Sequence, residues 1–148
     1  MAHVRTTIRN RVAGNTVTGL STTGSRVYES RIYPLGAGTL PGLCVYTKSE
    51  ESEPSTIGSS RVMLRNLSLV IDGYVKAVSG YDDLVDTISA EVETAMANDA
   101  TLAGLVKDHY LESTDIDFNE EGDKPVAVVS LTYVIQYATV ENNPQQNI

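Results

Sequence analysis

Acidic and amide residues alternate near the end of the sequence, and this is the first spacing that could support chemistry. The alternation, typical of the oxygen ligands of a calcium loop, runs through Asp115, Asp117, Asn119 and Glu121. An EF-hand requires glycine at the sixth loop position and glutamate at the twelfth, but Glu120 and Val126 stand there. We therefore interpret the segment as an acidic hairpin and expect no metal site.

Few side chains suit acid–base or nucleophilic catalysis. Only His3 and His109 ordinarily titrate near neutral pH, and no serine or cysteine stands in a recognisable nucleophile motif. Cys44 is the single cysteine, which excludes an intrachain disulfide and is typical of a small buried side chain. Abundant carboxylates are compatible with a glycosidase-type pair, but abundance alone does not indicate one. We expect no enzymatic activity.

A glycine-rich stretch resembles a dinucleotide-binding fingerprint only faintly. Its glycines are Gly36, Gly38 and Gly42, a spacing that is off by one residue. The fingerprint also needs a strand before it and a helix after it, whereas Pro41 and a β-rich run follow here. We interpret residues 34–41 as a loop and expect no cofactor.

Length and composition indicate a single domain spanning residues 1–148, with 41% apolar residues. No apolar run approaches the ~18 residues of a membrane span, and the first residues lack the apolar region of a signal peptide. These features predict synthesis in the cytoplasm and no membrane partner.

Charge is distributed unevenly along the chain, whose net charge is -8. Residues 1–31 carry five arginines against one glutamate, whereas residues 81–123 carry thirteen acidic groups against one lysine. The two surfaces could meet head-to-tail between copies of the chain, although a solvated acidic face is an equally simple interpretation. The candidate subunit or partner interface comprises Arg5, Arg9, Arg11, Glu50, Glu51 and Glu53.

Hydrophobic periodicity predicts an α+β fold: a mostly antiparallel sheet with helices packed on one face. Apolar residues at helical spacing predict two helices, and apolar alternation with β-branched residues predicts five strands. In chain order the elements are a helix at 4–12, strands at 26–33, 43–47 and 61–77, a helix at 84–96, and strands at 110–118 and 126–140.

Two segments are predicted to lack regular structure. Residues 48–60 are rich in serine and glutamate with little to bury, which is typical of a flexible loop that could become ordered on meeting a partner. Residues 141–148 are predicted to form a loose C-terminal tail.

The order of several short motifs resembles one protein family over roughly residues 3–140. An amphipathic start is followed by Tyr33-Pro34-Leu35, Leu40-Pro41-Gly42, Tyr46-Thr47-Lys48-Ser49-Glu50, Arg65-Asn66-Leu67, the helix start Asp82–Ile88, Leu111–Asp117, and Leu131-Thr132-Tyr133 with Tyr137. In this order the motifs resemble the tail terminator proteins of long-tailed bacteriophages, also called U-type minor tail proteins. No single motif is diagnostic, and none is catalytic.

The resemblance implies a homohexameric ring in the virion, at the head-proximal end of the tail and assembled in the host cytoplasm. Such a ring caps the tail tube protein, stops its polymerisation and presents a surface to the head–tail connector or another neck protein. Genomic DNA would pass through the channel without specific binding. The alternatives are another neck protein, such as a tail-completion or head–tail joining factor, and a small ligand-binding α+β domain.

Overall fold

The computed structural model describes residues 2–29, 40–76, 80–119 and 126–148. In these residues, a sheet carries helices on one face, which confirms the predicted α+β class. Four long strands lie side by side in the order β2, β3, β5, β4, and each neighbouring pair is antiparallel. Their bounds are Gly42–Pro54 for β2, Val62–Lys76 for β3, Asp108–Asn119 for β4 and Val126–Val140 for β5.

Two short strands complete the sheet at its margins. Val27–Tyr28 forms β1, which pairs in parallel with β2. The prediction of a strand over 26–33 is therefore confirmed at these two residues, and residues 30–33 lie outside the described part of the chain. Asn143–Asn147 forms β6, which pairs antiparallel with β5.

The two predicted helices are present. Helix α1 spans Val4–Arg11 and continues as a π-helical turn over Val12–Thr16, whereas α2 spans Tyr81–Asn98. His3 caps α1 because its Nδ1 accepts a hydrogen bond from the backbone N–H of Arg5 at 3.1 Å. The helix predicted at 4–12 therefore extends further than expected, since the π-helical turn runs on to Thr16.

One hydrophobic core lies between the helices and one face of the sheet. The apolar stripes of α1 and α2, including Ile8 and Ile88, pack with Leu69, Ile71 and other inward residues of the strands. The helices approach the strands closely, since a Cβ on Gly73 of β3 would lie 3.0 Å from Cγ2 of Ile88. We call this side of the sheet the helix face and the opposite side the open face.

The predicted flexible loop at 48–60 is wrong for most of its length. Residues up to Pro54 belong to β2, and β3 resumes at Val62, so residues 55–61 connect a long hairpin. Most side chains here are exposed, but the backbone of residues 49–54 pairs with β3, whose own apolar residues anchor it. Composition indicated a loop because the stabilisation comes from backbone pairing, which leaves no apolar pattern in the sequence.

The predicted loose tail at 141–148 is also wrong. Glu141 donates its backbone N–H to the carbonyl of Arg61 at 2.8 Å, and β6 follows. The terminal Ile148 donates its backbone N–H to the carbonyl of Ala138 at 3.0 Å. Because this short strand is held by its backbone and its side chains are polar, the sequence shows no apolar alternation that would predict it.

Candidate subunit interface

A β-bulge in β2 decides which way the candidate glutamates face. The register between β2 and β3 shifts between Thr47 and Ser49, which places one additional residue, Lys48, in β2. Beyond the bulge, Glu50 lies opposite the buried Leu67 and faces the helices, whereas Glu51 lies opposite Asn66 on the open face. Two adjacent candidate residues therefore belong to different faces of the sheet.

Glu50 is the centre of a buried group of charged and polar residues. Its Oε2 accepts hydrogen bonds from Nη1 of Arg5 at 2.6 Å and from Nη1 of Arg65 at 3.1 Å. The hydroxyl of Tyr137 donates to Oε1, and the Glu50 side chain is only 8% exposed. The Glu50 cluster, comprising Arg5, Glu50, Arg65 and Tyr137, therefore joins α1 to β2, β3 and β5.

In the Glu50 cluster, neighbouring positive charges compensate the buried carboxylate. Burial raises the pKa of Tyr137 above its usual range, and the hydrogen bond and charge of Glu50 act in the same direction. Arg65 also donates its Nε–H to Oγ1 of Thr139 at 3.0 Å. Because two guanidinium groups share one carboxylate, the buried negative charge is more than balanced.

The other two candidate arginines also have partners within the chain. Arg11 donates its Nε–H to Oδ2 of Asp99 at 3.0 Å, and the hydroxyl of Thr16 donates to the same oxygen at 2.7 Å. Burial acts to raise the pKa of Asp99, but these hydrogen bonds outweigh it and hold the pKa below its usual value. The weakest pair is Arg9 with Glu29, whose Nε–Oε1 distance is 3.8 Å.

The predicted interface residues are therefore not one surface. Arg5 and Glu50, expected to meet residues of another copy, meet each other inside one chain. Arg9 and Arg11 pair with carboxylates of their own chain, so an intermolecular role for them would require exchange of these partners. Sequence alone could not show this, since the partners are brought together only by the packing of α1 on the sheet.

Glu51 and Glu53 remain exposed on the open face, and Glu51 lines a concave surface there. The sheet curls so that side chains from all four long strands line two neighbouring depressions of about 330 and 320 Å³. The first joins Glu51 of β2 to Glu112 of β4, and the second joins Lys48 of β2 to Asp115 of β4. We call this surface the trough.

Carboxylates dominate the trough. Its exposed acidic side chains come from the two outer long strands and are Glu51, Glu112, Asp115 and Asp117. Between them lie hydroxyl and amide side chains of β3 and β5, including Ser68, Asn66 and Thr132. Among the described strand residues, Lys48 and Lys76 are the cations on this side, so the trough presents a negative, hydrogen-bonding wall.

Asp72 is a second buried carboxylic acid, on the open face of β3. Alternation along the predicted strand at 61–77 places it on the face opposite Leu69 and Ile71, where it would meet solvent, but it is only 6% exposed. Burial raises its pKa, while hydrogen bonds from the hydroxyls of Ser130 and Tyr46 partly oppose that effect. Its Oδ1 has no hydrogen-bond partner within the described part of the chain. The predicted face was correct, but the burial was missed because strand alternation does not show how far a sheet curls.

Residues 2–29, 40–76, 80–119 and 126–148 do not bring possible metal ligands together in one place. They contain no group of three or more histidine, cysteine, aspartate or glutamate side chains suited to a metal ion. Asp115 and Asp117 share the open face of β4, while Glu121 lies outside the described residues. None of the described helices combines the length and apolar character needed to cross a membrane.

Comparison with solved structures shows a distant similarity of fold. The fold is similar to a chain from the virion of a native gene transfer agent particle, with a TM-score of 0.47 and 13% sequence identity. The similarity covers 90% of this chain and 93% of that chain. No protein family profile matches the sequence, and no curated protein matches it. At this level of similarity the function of the chain is open.

Proposed function

We propose that this chain is a non-catalytic structural subunit of a bacteriophage tail terminator ring. Copies of the chain assemble into a homohexamer that caps the tail tube, stops its polymerisation and presents the surface to which the head is joined. DNA passes through the channel of the ring without specific binding. The resemblance of the motif order over residues 3–140 is the starting point of the proposal.

The acidic trough is the structural observation that supports this function best. A channel that conducts DNA must not hold it, and affinity for DNA rests on cationic groups that neutralise phosphates. The trough is concave and carries four exposed carboxylates on β2 and β4, so it is suited to a wall that repels phosphates. We therefore assign the open face to the channel and the helix face to the outside of the ring.

Ring closure requires a heterologous contact, in which two different surfaces of each copy meet. Of the three arginines predicted to form such a contact, Arg9 is held most weakly within its own chain, at 3.8 Å from Glu29. Its side chain is 29% exposed. Arg9 is therefore the candidate whose replacement disturbs assembly with the least cost to folding.

Negative-stain electron microscopy of the purified chain, alone and mixed with tail tubes, tests the proposal. We expect rings, or additional density on one end of the tubes. Arg9→Glu should reduce ring formation, whereas Asp86→Lys on the exposed side of α2 should not. Monomers that leave both tube ends bare would contradict the terminator function and favour another neck protein. If rings form normally with Arg9→Glu, only the proposed contact of Arg9 is contradicted.

A further inference from the structure

The outer edge of β4 is unpaired within the described part of the chain. β4 is the last strand of the sheet order, and β5 is its partner on the inner side. Over the 12 residues of Asp108–Asn119, the outward backbone groups therefore have no strand partner, although the N–H of His109 donates to Oδ1 of Asp108 at 2.9 Å. An edge strand of this length is a template for another extended chain.

Apolar side chains are exposed along this same edge. Ile116 is 54% exposed and Phe118 is 43% exposed, and both alternate onto the helix face of β4. Phe118 contacts Tyr81 at the start of α2, with ring centroids 5.5 Å apart, but that contact leaves much of the ring open. A strand added beside β4 would cover these two side chains with its own apolar residues.

The charge of β4 determines which strand it can accept. Four acidic residues, Asp108, Glu112, Asp115 and Asp117, lie on β4 and form no salt bridge with any described residue. They disfavour pairing of β4 with β4 of a second copy, because like charges would then lie opposite each other. They favour a basic partner.

The chain's own arginines do not supply that partner. Of the six described arginines, five form salt bridges with carboxylates of the same chain, and Arg26 donates to the carbonyls of Pro41 and Thr22. The five paired arginines are Arg5, Arg9, Arg11, Arg61 and Arg65. Because the described arginines are engaged within their own chain, a basic strand from another protein is the better match for β4.

We propose that the outer edge of β4 binds an extended basic segment of a partner protein as an additional strand of the sheet. Lysine or arginine side chains of that segment lie opposite Asp115 and Asp117 on the open face. Its apolar side chains alternate with them and cover Ile116 and Phe118. Backbone pairing supplies affinity and the alternating side chains supply specificity. This inference does not depend on the ring proposed above.

A labelled peptide in which lysine alternates with valine and threonine is the probe, and fluorescence anisotropy with the full chain is the measurement. We expect saturable binding that weakens as salt is raised. Asp115→Lys with Asp117→Lys should weaken binding by about tenfold and should favour a matched glutamate peptide. Asp82→Lys with Asp86→Lys, on the exposed side of α2, makes the same charge change and should leave binding unaltered.

Two N-methylated forms of the lysine peptide separate strand addition from simple charge attraction. Methyl groups on one alternate set of backbone nitrogens face β4 and should abolish binding, while those on the other set face away and should be tolerated. Equal binding of both forms would overturn the proposal, as would no binding of the parent peptide. Concentration-dependent dimers that exclude the peptide would also overturn it, since a second copy would then occupy the edge.

Discussion

Glu50 and Asp72 are both buried carboxylic acids on neighbouring strands, but they lie on opposite faces of the sheet. Glu50, on the helix face, accepts hydrogen bonds from two guanidinium groups and one phenol. Asp72, on the open face, accepts hydrogen bonds from two hydroxyls and has one oxygen without a described partner. The charge of Glu50 therefore stabilises the fold, whereas the charge of Asp72 is buried at a cost to stability.

This contrast also separates the two faces by role. On the helix face, charged groups join elements within the chain, as Glu50 joins α1 to three strands. On the open face and along β4, exposed carboxylates lie without salt-bridge partners among the described residues. These carboxylates add no salt bridge that would stabilise the fold. We therefore associate the open face with partners.

The largest effect is expected from Glu50→Ala. The substitution leaves Arg5 and the less exposed Arg65 without their carboxylate and removes the acceptor of Tyr137. Loss of one partner of a buried ion pair is strongly destabilising, and we expect the free energy of unfolding to fall by about 3 kcal/mol. Chemical denaturation followed by circular dichroism measures it.

Glu51→Ala is the matched control, since Glu51 follows Glu50 in β2 and is exposed on the opposite face of the sheet. It should change the free energy of unfolding by less than about 0.5 kcal/mol. If both variants lose the same stability, Glu50 is not a compensated buried charge and the contrast between the faces fails.

The sequence was sufficient for the elements whose stability lies in side-chain burial. Alternation along residues 126–140 predicted β5 with its observed bounds, and the apolar stripe from Leu84 to Met96 predicted most of α2. It was insufficient where a strand pairs through its backbone and carries few apolar side chains, as at residues 48–54 and in β6. There, polar composition is typical of a loop and of a strand margin alike.

Sequence alone could not locate the candidate interface residues for a different reason. The sequence analysis placed Arg5 and Glu50 in one candidate interface, and the structure does bring them together, but within one chain. The bulge at Lys48 turns Glu50 inward and Glu51 outward, and a one-residue shift of this kind has no sequence signal here. Asp72 was missed because its burial depends on the curl of the whole sheet.

A smaller effect of opposite sign is expected from Asp72→Asn. Burial raises the pKa of Asp72, so the folded state binds a proton more readily than the unfolded state. The wild-type chain therefore loses stability as pH rises from the usual aspartate value of 3.8 through the raised folded value. At neutral pH we expect the amide to increase the free energy of unfolding by on the order of 1 kcal/mol.

Denaturation midpoints of both proteins across a pH series check this prediction. The gain should disappear below the unfolded pKa, where the wild-type carboxyl is neutral in both states. A variant that is less stable at neutral pH would show that the Asp72 charge is stabilising, and the two buried carboxylates would then be alike.

The smallest effect, no reaction at all, is expected when the native chain meets a thiol reagent. Cys44 lies beside Asp72 in the register of β2 with β3 and is fully buried. Burial, with the nearby Asp72 charge, raises the pKa of its thiol to about 12, so the reactive thiolate is absent at neutral pH. Ellman's reagent should label it only when denaturant unfolds the chain, with the same midpoint as the circular dichroism signal. Rapid labelling of the folded chain would mean that water reaches this part of the open face, and Asp72 would then be solvated rather than buried.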